Sequence, residues 1–214
     1  MNRFIKNYYE ERHKKSYNEL YERKTESINL STRLRIKRID SFIQSGKDIL
    51  ELSVISKMPW WNRNRITLAD ISNKPLKHHK EYPSKTFDFN NKFPFADETF
   101  DVVVATEVIE HLYNPEGAVK EIYRILRKDG MLIGSVPNEY HLRKRIEILF
   151  GKDVFGYGYH LCYFNKNSLK KLLKKIFKKV FITGYGPGVF LPSLMSSNLI
   201  FVCVKNHQSK TGGM

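Results

Sequence analysis

Three short runs, VVVAT at 102–106, MLIGSV at 131–136 and LIFVCV at 199–204, are apolar nearly throughout. A strand with one wet face alternates apolar and polar side chains, so runs without alternation read as strands covered on both faces. Similar β-rich runs at Asp48–Val54, Arg65–Asp70, Lys85–Phe89 and Val180–Tyr185 extend the set, with the first three runs bounded as Asp101–Thr106, Met131–Val136 and Leu199–Val204. Helical stripes lie between them. Ala118, Ile122 and Leu126 share one face of a helix over Pro115–Leu126, which stops at a turn, Lys128-Asp129-Gly130. Leu169, Leu172, Leu173, Ile176, Phe177 and Val180 form another stripe behind two N-cap candidates, Asn165 and Asn167. Strands alternating with helices predict an α/β fold, a mainly parallel sheet with helices on both faces. Such sheets bind ligands at the carboxyl ends of the strands, where strand order reverses.

Ahead of the first strand, Tyr17, Leu20, Tyr21, Leu30, Leu34, Ile36, Ile39, Phe42 and Ile43 recur at roughly helical spacing, and Ser45-Gly46 reads as the stop. The expected organisation is a helical segment over 1–46, one domain over 47–205 and a frayed tail over 206–214. At 41% hydrophobic and 13% aromatic the chain can build a core. Its 37 Lys plus Arg against 22 Asp plus Glu give a net charge of +15. That excess reads either as affinity for nucleic acid or a peripheral membrane surface, or as a lysine-rich solvated face. The lysines at 166, 170, 171, 174, 175, 178 and 179 lie off the apolar stripe and read as solvated. Cys162 and Cys203 are too few for a disulfide framework or a zinc cluster. The apolar stretch Val189–Val204 is interrupted by Pro192, Ser193, Ser196, Ser197 and Asn198, so it is not read as a membrane helix. No leader pattern is visible, and a cytoplasmic location is the expectation.

Three stretches then fall in a recognisable order: FPFADETFDVVVATEVIEHLYNP at 93–115, EIYRILRKDGMLIGSVPN at 121–138 and HLCYFNKNSLKKLL at 160–173. Together, from Asn91 to Val204, they resemble the class I S-adenosylmethionine-dependent methyltransferases, and within them the broad small-molecule group labelled type 11 or type 23. The resemblance implies a Rossmann-like, seven-stranded, mostly parallel sheet whose last strand runs antiparallel, and S-adenosyl-L-methionine as cofactor. It also implies methyl transfer to a small-molecule acceptor such as a sugar, lipid or quinone precursor. An inactive methyltransferase-like scaffold and an RNA methyltransferase are the alternatives.

In that family an acidic strand end is followed by glycines spaced G-x-G-x-G. Here the stretch is Glu51-Leu52-Ser53-Val54-Ile55-Ser56-Lys57, with Ser53, Ile55 and Lys57 at the glycine positions. Glycine there permits positive φ or close approach of a ligand to the backbone, and β-branched Ile55 suits neither. The two crossovers that follow contain Met58-Pro59-Trp60-Trp61 and then Pro75, His78-His79 and Pro83, so both read as shortened into loops. Trp60 and Trp61 read as filler for the lost helix, with a cover for the cofactor's adenine as the alternative, and His78-His79 as surface.

By resemblance, Asp70 with Ile71 would hold the ribose, Asp88 and Phe89 the adenine, Glu51, Ser53 and Lys57 the methionine end, and Thr106 would face that end from the next strand. Glu107, Glu110 and His111, spaced i, i+3 and i+4, share a helical face at the carboxyl end of Asp101–Thr106. His111 is the candidate general base. The same trio resembles an acidic-acidic-His set in coenzyme Q-type O-methyltransferases where a divalent ion is implicated, although acids also favour a helix start through the macrodipole alone; no metal site is assigned from spacing. Asn138, His160, Tyr163 and the Gly- and Tyr-rich 155–159 would line or lid the acceptor.

Overall fold

The computed structural model describes residues 30–54, 56–152, 160–185 and 192–206, the side chains of 185, 192 and 193 excepted. Tyr17, Leu20, Tyr21, Ile55, the 155–159 stretch and most of the tail lie outside them.

Among the described residues seven strands form one sheet: β1 Asp48–Leu52, β2 Arg65–Asp70, β3 Ser84–Thr86, β4 Phe100–Thr106, β5 Leu126–Pro137, β6 Lys179–Tyr185 and β7 Asn198–Val204. Their spatial order is β3-β2-β1-β4-β5-β7-β6. The pairs from β3 across to β5 are parallel, while β7 lies between β5 and β6 and runs antiparallel to both. The antiparallel last strand beside β6 is as the sequence predicts. Strand order reverses between β1 and β4, which fixes the crevice at their carboxyl ends.

Three strands depart from their expected bounds by more than one residue, each for a local reason. β1 stops at Leu52 because Ser53 turns to φ 62. β3 covers only Ser84–Thr86, since Asp88 accepts from its own loop at Asn90 N (3.0 Å) and bends the chain away. β5 begins at Leu126, ahead of the expected turn. Asp129 takes φ 58 inside the strand, and the register against β4 shifts between Phe100 and Val102.

The helices are α1 Leu30–Asp40, α2 Asn73–Leu76, α3 Pro115–Ile125, α4 Leu142–Leu149, α5 Lys166–Lys174 and α6 Pro192–Met195, with 3-10 turns at Pro59–Arg63 and Ile109–His111. Asn114 caps α3 by accepting from Gly117 N (3.0 Å). Asn165 caps α5 in a reciprocal box with Ser168. α1 ends at Asp40, before Ser45-Gly46. Arg63 fixes that end, donating to the carbonyls of Asp40 (3.2 Å) and Ile43 (2.9 Å). No described helix is long and apolar enough to cross a membrane.

Side chains of β4 alternate between two cores. Val103 and Ala105 pack with Ile122, Leu169, Leu173 and Phe177 under α3 and α5. Val102 and Val104 pack with Ile39, Ile43, Ile49, Trp60, Trp61 and Leu68 on the other face. Both faces are therefore covered, which is why the run carries no polar alternation. On the second face the two crossovers are a 3-10 turn and the four-residue α2, and the indoles fill the layer, Trp60 at 0% and Trp61 at 2% exposure. His79 departs from its expected surface place. It is buried, edge-on to Trp61 at 5.1 Å between ring centroids, while His78 stays exposed.

Candidate active site

Two groups of acids flank the crevice. On the β1–β2 side, Glu51 is buried at the end of β1, and its Oε2 accepts from the indole N–H of Trp60 (2.7 Å) and of Trp61 (3.2 Å). Burial pushes its carboxyl up to about 7, and the indole bonds only partly oppose that shift. Asp70 closes β2. Its Oδ2 accepts from Val54 N (3.0 Å) and its Oδ1 from Ser72 N (2.9 Å). Burial raises this carboxyl to about 6 against those backbone bonds. Between the two acids, Ser53 donates its N–H to Ala69 O (2.8 Å) and holds its left-handed φ of 62. The chain thus keeps at Ser53 the backbone conformation that glycine most readily supplies.

The remaining residues of this side are spread along the edge. Ile71 is half-buried beside Asp70. Lys57 is exposed, with Nζ 5.7 Å from the centroid of the Tyr82 ring. Asp88 lies one turn beyond β3, its Oδ1 accepting from Asn90 N and from Asn90 Nδ2 (2.8 Å). Asn90 in turn accepts through Oδ1 from Tyr113 N (3.0 Å) and Asn114 N (3.1 Å), tying this loop to the start of α3. Phe89 is buried, packed against buried Phe93 and half-buried Phe87. Thr106, at the end of β4, has a buried Oγ1 without a hydrogen-bond partner among the described residues.

The β4 side is arranged differently from the expected helical face. Glu107 takes φ 54 and the following turn is 3-10, so Glu107 and Glu110 part company. Glu107 Oε1 pairs with Arg35 of α1 (2.8 Å) and accepts from Ser135 Oγ (2.7 Å). Glu110 is 1% exposed, and among the described residues neither of its carboxylate oxygens has a hydrogen-bond partner. Burial first, and the Glu107 charge second, hold its carboxyl well above the usual range. The backbone carbonyl of Glu110 accepts from Leu161 N (2.8 Å) and Cys162 N (2.9 Å), which pins the 160–162 segment beside the turn. His160 is thereby set against His111, ring centroids 5.0 Å apart, and His160 Nδ1 lies 2.9 Å from Glu139 Oε1. One ligand atom each from Glu110, His111 and His160 falls within 4.8 Å of the others. Tyr163 is edge-on to His160 at 6.4 Å, and Asn138 donates through Nδ2 to Ser196 O (2.8 Å).

Of the site residues expected from sequence, Glu51, Ser53, Asp70 and Ile71 gather on one wall and Thr106 and His111 on the other, while Lys57 lies outside on Tyr82. Arg35, Asn90, Ser135 and Glu139 were not singled out. Glu139 carried one signal, its place directly after Asn138.

Residues 53–134 match the family described as "Methyltransferase domain". A protein of Mycolicibacterium smegmatis, described as a probable S-adenosylmethionine-dependent methyltransferase, is 35% identical over 112 residues, 51% of this chain and 41% of its own. The mitochondrial arginine-hydroxylase NDUFAF5 of Danio rerio is 27% identical over 103 residues, 45% of this chain and 32% of its own. The chain therefore spans less than half the length of either relative. A SAM-dependent methyltransferase structure from Archaeoglobus fulgidus superposes with a TM-score of 0.61 at 14% identity, over 88% of this chain and 100% of its own. In the match over residues 53–134 the chain is similar to methyltransferase domains, and its sheet has the fold of the class I S-adenosylmethionine-dependent methyltransferases.

Proposed function

We propose that this protein transfers a methyl group from S-adenosylmethionine to a small-molecule acceptor. The observation that carries the reading is the wall at the strand-order reversal, where Ser53 keeps a left-handed backbone and Thr106 Oγ1 is buried without a hydrogen-bond partner among the described residues. Both features fit a ligand laid across the ends of β1 and β4. The acids fit with one exchange: Asp70 would release a backbone amide, such as Val54 N, to accept ribose hydroxyls. Asp88 with Phe89 would border the adenine, and Glu51, Ser53 and Lys57 the methionine end. When bound, the cofactor supplies a methyl group already activated on a sulfonium.

The chain's own work is then to position two molecules and keep water out. Phe89 and the buried indoles exclude water from the β1–β2 wall. A hydroxyl acceptor must lose its proton, and this falls to the cluster around His111, the nominated base, whose ring lies against His160. A sugar, lipid or quinone precursor satisfies that chemistry.

A second reading is favoured by the bonds already made inside the wall. Glu51 is engaged by two indoles and both Asp70 oxygens by backbone amides, as in a scaffold that has given up its cofactor. Calorimetric titration with S-adenosylhomocysteine separates the two. The methyltransferase reading expects saturable binding weakened about ten- to a hundredfold by Asp70→Asn, the effect of a lost charged hydrogen bond. No heat and no thermal shift at ~1 mM, a limit equivalent to about −4 kcal/mol, would leave the scaffold reading in its place.

A further inference from the structure

Of Glu110, His111 and His160, which lie together beside the end of β4, the methyl-transfer reading uses only His111, as a base, and leaves the array they form unexplained. We propose that these three side chains bind a divalent first-row transition metal ion, with Glu139 orienting His160. The site stands on its own residues; only its use for an acceptor rests on the methyl-transfer reading.

Two independent observations point to a cation. The Glu110 carboxylate is 1% exposed and both its oxygens lack a hydrogen-bond partner among the described residues. A buried carboxylate in that condition is costly, and a coordinated cation is one of the few partners that offset the cost. The second is the Glu139–His160 contact at 2.9 Å. A carboxylate on Nδ1 fixes the imidazole tautomer and leaves Nε2 as the basic nitrogen, the usual support of a metal-bound histidine. The candidate ligand atoms lie within 4.8 Å of one another. Ligands at about 2.0–2.2 Å from an ion sit at most about 4.4 Å apart, so small side-chain rotations close the set. The backbone already holds the parts together, because the Glu110 carbonyl accepts from Leu161 N and Cys162 N.

The donor set also indicates the kind of ion. Two imidazoles and one carboxylate suit zinc, cobalt, iron or manganese better than magnesium or calcium, which prefer all-oxygen sites. Glu107, which the spacing had grouped with Glu110 and His111, is instead engaged by Arg35 and Ser135. Three protein ligands leave coordination positions open, and an acceptor oxygen bound there would be held in place with its pKa lowered. In that arrangement His111 serves as a ligand, and loss of the acceptor's proton no longer depends on it as the base.

The test is titration of chelator-stripped, folded full-length protein with Co2+ and with Zn2+, in the absence of any cofactor. One equivalent should bind, with visible cobalt bands that report nitrogen ligation. His160→Asn and Glu110→Gln should weaken binding at least about a hundredfold, and Glu139→Gln about ten- to a hundredfold. Glu107→Gln should change it only a few-fold. Circular dichroism confirms that each variant is folded, and the more accessible Glu139→Gln and His160→Asn carry the test should Glu110→Gln fail to fold. The inference is overturned by wild-type protein that binds neither ion at ~1 mM. It is equally overturned by binding indifferent to His160→Asn, or by Glu107→Gln costing as much as Glu110→Gln. Because no cofactor is present, failure here leaves the S-adenosylhomocysteine result untouched, and the reverse holds as well.

Discussion

The two walls of the crevice each carry a pair of acids, and the pairs differ in how their charge is met. At the ends of β1 and β2, Glu51 and Asp70 are buried and hydrogen-bonded to groups of the fold itself, indole N–H on one and backbone N–H on the other. At the end of β4, half-buried Glu107 has Arg35 and Ser135, but Glu110, as buried as Glu51 and Asp70, has no hydrogen-bond partner among the described residues. A buried acid with fold-supplied donors is a structural element that a ligand borrows only at a cost. A buried acid without them is held ready for something brought from outside. The lesson is that the acids legible as candidate cofactor residues are the ones most occupied by the structure, while the acid with open oxygens stands on the opposite wall.

The largest expected effect comes from breaking the first wall. Trp60 is fully buried and donates to Glu51, so Trp60→Ala removes a large core side chain and a donor together. Loss of the ring alone should cost roughly 3–5 kcal/mol, measured by urea unfolding. Trp60→Phe keeps most of the volume and should cost about 1–3 kcal/mol, the penalty of an unmet bond to a buried acid. Near-equal costs for the two variants would mean that the bond, and not the packing, holds this wall.

The next effect separates charge from packing at Glu51. Its folded carboxyl stands near 7 against an ordinary 4.5, so between those values the folded protein keeps a proton that the unfolded chain has lost. The contribution to stability is fully present below pH 4.5 and is lost as pH rises through about 7, by about 3 kcal/mol at most. Glu51→Gln keeps an oxygen for the indoles and has nothing to ionise. Its stability relative to wild type should therefore rise from pH 5 to pH 8, read from urea midpoints at each pH. A difference that stays flat across this range would show that Glu51 does not titrate there.

The sheet and much of the first wall were legible because their signals are local. Unbroken apolar runs mark strands covered on both faces, and the β4 run does alternate between two cores. The acid at the end of β1 and the altered glycine positions were also readable, and the structure adds that Ser53 preserves the left-handed turn despite its side chain. The second wall was less legible. Grouping Glu107, Glu110 and His111 assumed 3.6 residues per turn, and the segment instead has φ 54 at Glu107 followed by a 3-10 turn. The partners that decide each acid's state, Arg35 for Glu107 and the Glu139–His160 pair beside Glu110, come from distant parts of the chain. Periodicity carries no information about such contacts. The burial of His79 was missed for the same reason, since its neighbour Trp61 belongs to another crossover.

The smallest effect tests how far the first wall reaches toward its rim. Lys57 is exposed and its ammonium lies over Tyr82, an aromatic that itself packs edge-on against Trp61 at 5.1 Å. An exposed cation–π contact of this kind contributes about 0.5 kcal/mol, so Lys57→Ala should barely move the unfolding midpoint. Ligand affinity is the sharper readout. An exposed ion pair between Lys57 and the cofactor's carboxylate would be worth about 1 kcal/mol at most, or up to about fivefold in affinity. Lys57→Ala should then weaken S-adenosylhomocysteine by up to that factor while leaving methylthioadenosine, which has no carboxylate, unchanged. Added salt should shrink the difference, as it does for any solvent-exposed pair. Equal losses for both ligands would take Lys57 away from the methionine end and leave it as a prop for Tyr82, making the β1–β2 wall a structure that ends at its indoles.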